Sequence, residues 1–305
     1  DNYSANEITE HVPSYIPNDI ERLAGSSTED ILIGFAPSDV KTLYVYKYFF
    51  SNNQKILSSW SKFTLPFEVR GYEIIEGVLY MIGVINEGTS SHDGTYLATM
   101  NLQTDERSNT YSEDNVYLDF PKQHTGTNQN NIPLGFKPQV GDLISVMDAN
   151  GNLLAINANG DTQVQVTDNG RNSVDLHEEH DGTIFTGVQY TMKYQFSEQT
   201  FKQPAGNSQA PTGYTKSQIR TGNIFFNNCQ KFDVKVTPDL RGEQTYTFTP
   251  SSTALEQGNF KFPVFTDAED TVILIENKNG TPSQFTSAEF EMFAHERSRR
   301  FGWGT

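Results

Sequence analysis

Two short stretches bring together side chains that could hold a metal ion. In His177-Glu178-Glu179-His180-Asp181-Gly182 the two histidines lie three residues apart. Zinc sites of the His-Glu-x-x-His type need them four apart on one helical face. Asp181-Gly182 is also a turn dipeptide, so a turn is the preferred reading. Asp148-Ala149-Asn150-Gly151-Asn152 begins like a calcium loop, but position 12 is Asn159 rather than the bidentate glutamate such loops require. Asp161, Asp168 and Asp175 could add oxygens, and hairpin turns account for these Asp, Asn and Gly residues equally well. A pair of Asp or Glu residues could serve glycoside hydrolysis, which depends on a separation that spacing alone does not give. There is no G-x-S-x-G elbow and no glycine-rich phosphate loop. No catalytic, cofactor-binding or metal-binding residue is therefore assigned. Cys229, within the apolar run IFFNNCQKF, reads as a small buried side chain. Arg297, Arg299 and Arg300 form a basic run close to the C-terminal end and are the candidate partner contacts.

The elements that would position these residues are strands. SYIP, bracketed by Pro13 and Pro17, is turn-like, and NDIERLAG predicts one short helix capped by Asn18 and ended by Gly25. ILIGF, KTLYVYKYFF and ILSSWSKFTL are β-branched and aromatic runs separated by Pro37-Ser38-Asp39 and SNNQ. GYEII and VLYMIGVI flank Glu76-Gly77, a two-residue hairpin signal, and Asp93-Gly94 turns the chain into TYLATMNL. Asp30 to Leu102 is thus expected to hold about six up-and-down strands, divisible into two units near the size of a propeller blade. Residues 103–135 are polar and predict an exposed loop or insertion with a domain boundary nearby. Beyond them DLISVM, LLAIN, TQVQV and SVDL read as short strands separated by Asn-Gly turns. Strands then continue to about Phe293. The expected division is a propeller-like segment over 1–110, a hairpin-rich insertion over 111–182 and a C-terminal β domain over 183–305.

Composition supports this fold class. Hydrophobic residues make up 35% of the 305, while aromatics reach 12%. Thin sheets burying Tyr and Phe fit that mixture better than long amphipathic helices do. The expected class is all-β, with antiparallel sheets in propeller-like or β-sandwich modules and few short helices. No apolar run approaches 18 residues and no signal-peptide pattern is present. A start at Asp1 rather than Met fits a fragment or a processed product. Acids exceed bases by 38 − 22 = 16, which repels nucleic acid and anionic membranes. A single cysteine excludes an intrachain disulfide and suits assembly in a reducing cytoplasm.

Several ordered segments carry a family resemblance. SYIPNDIERLAGSSTED (14–30) is followed by Tyr44 to Tyr48 (YVYKY) and Ser59 to Phe63 (SWSKF). Farther on come Tyr190, Met192, Tyr194, Phe196 and Ser197, then Gly258, Phe260, Phe262, Pro263 and Val264, and finally Arg297 to Arg300. In this order the chain resembles the tail tubular protein B family, the tail nozzle subunits of short-tailed, autographivirus-type phages. Family members are much longer, so the resemblance implies a C-terminal part. The region from Leu102 to Asp181 matches least, and nothing is carried over there.

The resemblance implies a structural subunit of the virion tail, assembled in the host cytoplasm, and not an enzyme. Its implied partners are its own copies in a hexameric ring, the tail adaptor above, tail fibres outside, and the host envelope at the tip. Phage DNA would pass through the lumen without tight binding. Carboxylates such as Asp148, Asp161 and Asp168 are expected on channel-facing or open outer surfaces, and basic residues at subunit contacts. Two other functions remain open. A tail-associated polysaccharide hydrolase would need two close carboxylates in a cleft. A carbohydrate-binding β module would need a coplanar strip of exposed aromatic rings.

Overall fold

The structure, a computed structural model, describes residues 8–9, 12, 14–51, 54–85, 94–102, 116–168, 170–199, 202–205, 208–211, 215–251 and 255–296. Among these there is no helix, and every named strand pair is antiparallel. The chain divides into two compact units, Asp1–Glu106 and Arg107–Thr305.

The first unit is built from two meanders. Strands β1 (Arg22–Ser26), β2 (Ile31–Phe35), β3 (Thr42–Ser51) and β4 (Gln54–Thr64) pair in chain order. Strands β5 (Glu68–Ile75), β6 (Val78–Ile85) and β7 (Gly94–Asn101) form a second sheet. The six strands expected between Asp30 and Leu102 are β2 to β7. Glu76 and Gly77, at φ 50° and 76°, make the tight β5–β6 turn that their types favour. The Asp93 side of the expected Asp93-Gly94 turn lies outside the described residues. The two meanders are tied together by the Tyr72 hydroxyl, 2.8 Å from the Arg22 carbonyl and 3.0 Å from that of Ile33. Phe67 lies flat over Gly83, where an added Cβ would stand 2.2 Å from the ring.

The helix expected over NDIERLAG is instead β1. So short a helix would be marginal on its own. As a strand, residues 22–26 pair with all five residues of β2, satisfying backbone groups that would otherwise lie at an open edge. Gly25 is a strand residue here, paired with Leu32, and not a helix stop.

The second unit opens with β8 (Asp119–Pro133), β9 (Leu143–Asp148), β10 (Gln163–Gln165) and β11 (Ser173–Val188), in the order β10-β9-β11-β8. Its core holds Ile132, Leu134, Ile144, Val146, Val174 and Ile184. The polar segment expected to be a loop is, over 119–133, the long edge strand β8. Its side chains are mostly exposed or half-buried, so they carry no apolar alternation. Its backbone is held by β11 along nearly its whole length. LLAIN is not a strand either. Only Leu153 bridges, to Met147, because Asn150 and Asn152 fold back onto Asp148.

The remainder is a two-sheet sandwich. One sheet holds β12 (Met192–Gln195), β19 (Thr271–Asn277), β16 (Phe232–Pro238) and β17 (Gln244–Phe248), in that order. The other holds β18 (Glu256–Asp267), β15 (Thr215–Cys229) and β20 (Gln284–Glu296). A separate hairpin pairs β13 (Lys202–Ala205) with β14 (Ser208–Pro211). The sandwich interior is aromatic. Phe232 is fully buried, with the rings of Phe226, Phe248, Phe260 and Phe285 centred 5.0 to 5.7 Å away. Edge-to-face and offset contacts of this kind add to area burial. Phe262 is buried against Gly222, where an added Cβ would stand 2.2 Å from the ring. Pro263 sits on β18, an edge strand, where a missing N–H is tolerated.

Candidate functional site

The structure takes most chemistry-bearing residues out of contention. His177 to Gly182 do not form a turn between strands. They lie inside β11, where Asp175 pairs with Asn131 and His180 with Gln129. Five steps on β11 face two on β8, so the strand carries an irregular bulge there. His177 is exposed, and its backbone N–H donates to the Ala155 carbonyl at 2.9 Å. Among the described residues no group of three or more His, Cys, Asp or Glu side chains could hold a metal ion.

Of the aspartates expected at turns, Asp148, Asp161 and Asp168 serve turns, and Asp175 lies within β11. Asp148 is 7% exposed, and its Oδ1 accepts from the backbone N–H groups of Asn150 and Asn152, both at 2.8 Å. Its Oδ2 accepts from Asn152 Nδ2 at 2.8 Å. This corrects the expectation that Asp148 stands on an open surface, because the carboxylate is folded into its own Asx turn. Asp161 and Asp168 are exposed, as expected, and accept from Asn157 Nδ2 and from the Gly170 N–H. Asp175 accepts from Asn131 Nδ2. Cys229 is buried, and burial pushes its thiol up to about 11, so it is a packed and inert thiol. Arg297, Arg299 and Arg300 lie outside the described residues.

Two acidic sites went unnoticed in the sequence. Asp119 opens β8, and burial, with the charge of Asp142 adding to it, pushes its carboxyl up to about 6. Glu276, 7% exposed in its side chain, receives Lys235 Nζ at 2.8 Å and has Lys193 Nζ at 3.8 Å. Burial alone would raise the Glu276 carboxyl; the hydrogen bond and charge of Lys235 outweigh it, and the net shift is downward. Both depend on partners distant in sequence, which no local motif announces.

The surface has four features suited to contact. On the outer face of the β5–β7 sheet, Ile82 and Leu97 are direct cross-strand partners, 48% and 73% exposed. The β3–β4 hairpin extends past β2, whose pairing ends at Lys47. Beyond that point Phe49, Phe50 and Ile56 are all more than half exposed. Tyr48 and Phe50 meet at 79°, so their rings do not form the coplanar platform that sugar stacking needs. In the sandwich, a cavity of about 260 Å³ is lined by Asp239, Leu240, Arg241, Phe265, Asp267 and Asp270 among others. Its three carboxylates are exposed to solvent, without the apolar enclosure a glycosidase acid requires. The fourth feature is the exposed acidic bulge of β11, with Glu178, Glu179 and Asp181.

Comparison with known proteins gives these surfaces a context. The sequence profile described as bacteriophage nozzle protein matches residues 1–301, and the chain belongs to that family. It is similar to the tail tubular protein gp12 of Escherichia phage T7, at 22% identity over 316 residues. That match covers 94% of this chain and 38% of the relative, so the chain spans well under half of the relative's length.

Proposed function

We propose that this nozzle-family chain is a structural subunit of a phage tail, part of a hexameric ring whose lumen passes the genome, and not an enzyme. The observation that carries the reading is the family match along residues 1–301. The relative's name, a tail tubular protein, supports placement in the virion tail. On this reading the ring meets the tail adaptor above, tail fibres outside and the host envelope at the tip, after assembly in the host cytoplasm. Residues 1–110 form a propeller-like segment, 111–182 an insertion and 183–305 a C-terminal β domain.

The physics suits a channel wall. Antiparallel sheets sealed by aromatic side chains resist deformation. A formal charge of −16 keeps a polyanion from adhering, since each phosphate neutralised by Lys or Arg would add affinity. Arg297, Arg299 and Arg300 dock on a carboxylate surface of the same or a neighbouring subunit, because guanidinium groups form bidentate pairs there.

Three measurements test this. A gel shift at low salt should show no DNA binding, and sub-micromolar affinity would contradict the channel role. Incubation with capsular polysaccharide or peptidoglycan should release no reducing sugar. Release abolished by one carboxylate-to-amide change would promote the hydrolase instead. Replacing the three arginines by Ser should loosen assembly, and unchanged assembly across a salt series would return them to a solvated tail.

A further inference from the structure

The lysines of this acidic chain are unevenly placed. Residues 40–67 contain Lys41, Lys47, Lys55 and Lys62 and no Asp or Glu, a local charge of +4. The rest of the chain therefore carries −16 − 4 = −20. All four lysines are exposed, and none forms an ion pair with a carboxylate among the described residues. Lys62 instead stands over the Tyr15 and Tyr44 rings at 4.4 and 5.2 Å, and Lys55 donates to the Tyr46 hydroxyl at 3.3 Å. The same segment carries the exposed apolar side chains Phe49, Phe50 and Ile56. Beyond Tyr48 the arm is two-stranded, pairing Phe49 with Leu57 and Phe50 with Lys55, and Ile56 is the extra, bulged residue. An aromatic, cationic arm on an acidic protein is an unmatched surface.

The sandwich offers its chemical complement. Phe265, beside the 260 Å³ cavity, has a left-handed backbone at φ 49° and is 56% exposed. It lies at a bulge, where Ile219 pairs with Thr266 and Thr221 with Pro263, so β18 has one residue more than β15. A left-handed backbone at a non-glycine residue is a reason to look for function there. Leu240, on the same cavity, is 93% exposed. Asp239, Asp267 and Asp270 supply negative charge there, offset in part by Arg241.

We propose that the β3–β4 arm of one copy docks Phe49, Phe50 and Ile56, with Lys47 and Lys55, into the Asp239–Asp267–Asp270 cavity of a neighbouring copy. This rests on the reading of the chain as a ring subunit. A contact between two different patches is heterologous, the type that closes rings. An anionic membrane is the less suitable occupant, because the remaining −20 is repelled by it and attracts a neighbour's lysines.

The test uses sedimentation velocity of the chain over a concentration series near 0.15 M salt, where the Debye length is about 8 Å and long-range repulsion is screened. Wild type should associate. Lys47→Glu with Lys55→Glu should abolish this, as should Asp267→Lys with Asp270→Lys, each with an unchanged melting temperature. Mixing the two variants should restore association, because the native arm of one matches the native cavity of the other and the reversed arm matches the reversed cavity. Phe50→Ala, beside Phe49 and Ile56, should weaken association roughly thirtyfold, as loss of an interface anchor does. Wild type that associates while both charge variants associate equally would overturn the arm–cavity contact and leave the ring reading standing. Wild type that stays monomeric throughout would overturn the arm–cavity contact, while the ring reading would still be decided by the mass of the complete protein. Binding to phosphatidylserine vesicles that is lost in Phe50→Ala would reassign the arm to a membrane and overturn the proposal.

Discussion

The β5–β7 sheet and the β15–β20 sandwich use the same local device and complete it differently. In each, a buried aromatic ring is laid over a glycine of a neighbouring strand: Phe67 over Gly83, and Phe262 over Gly222. The sandwich then covers each sheet with the other, and Phe232 sits fully buried among four rings. The β5–β7 sheet buries Leu79, Met81 and Ile85 on one face and leaves Ile82 and Leu97 open on the other. A sheet that brings its own cover is stabilised from within. A sheet with an apolar outer face has surface left to bury, so substitutions there should affect association more than folding.

The comparison can be broken first at its strongest point. Phe232→Ala should cost about 4 kcal/mol in denaturant unfolding, since large core truncations leave cavities that cannot collapse. A cost near 1 kcal/mol would mean that the sandwich is not the rigid partner of the pair. Next, Gly222→Ala and Gly83→Ala should each cost about 3 kcal/mol, because both new methyl groups meet a ring that is already buried. Similar values would show one device in two places; a large cost at one site alone would separate them.

Lys235→Met should cost about 2 kcal/mol, because buried Glu276 loses its hydrogen-bonded partner and keeps only the weaker charges of Lys193 and Lys278. Adding Glu276→Gln to that variant should recover much of the loss. Asp119→Asn gives a pH signature. The folded carboxyl is raised from 3.8 to about 6, so its favourable protonated form is complete below about pH 4 and lost as pH rises through 6. The variant should therefore gain up to about 2 kcal/mol over wild type at pH 7 and nothing at pH 4. A pH-independent difference would show that Asp119 is not desolvated. The smallest effect belongs to the bare face. Leu97→Ser should change unfolding by under about 0.5 kcal/mol. A loss as large as at Phe232 would show that this face is covered within the folded chain.

Legibility in the sequence followed the physics of alternation. β6 reads apolar on both faces, and Glu76-Gly77 has the residue types of its tight turn, so the β5–β6 hairpin was plain. β8 was hidden because its side chains are polar toward both faces, and only pairing with β11 reveals a strand. The segment holding β1 reads as a helix in sequence because Asn18 and Gly25 have the types of a cap and a stop; pairing with β2 determines its conformation instead. The buried Asp148 was misplaced because an Asx turn looks the same in sequence whether it stands in solvent or folds inward. The cationic arm carries no motif in the sequence, and its reach past β2 depends on where pairing stops.

The most direct test of the central claim is the mass of the native assembly containing this chain, taken with electron micrographs of the same sample. A sixfold ring with an open central channel is the expected result. A stable monomer at high concentration, with the complete protein present, would contradict it.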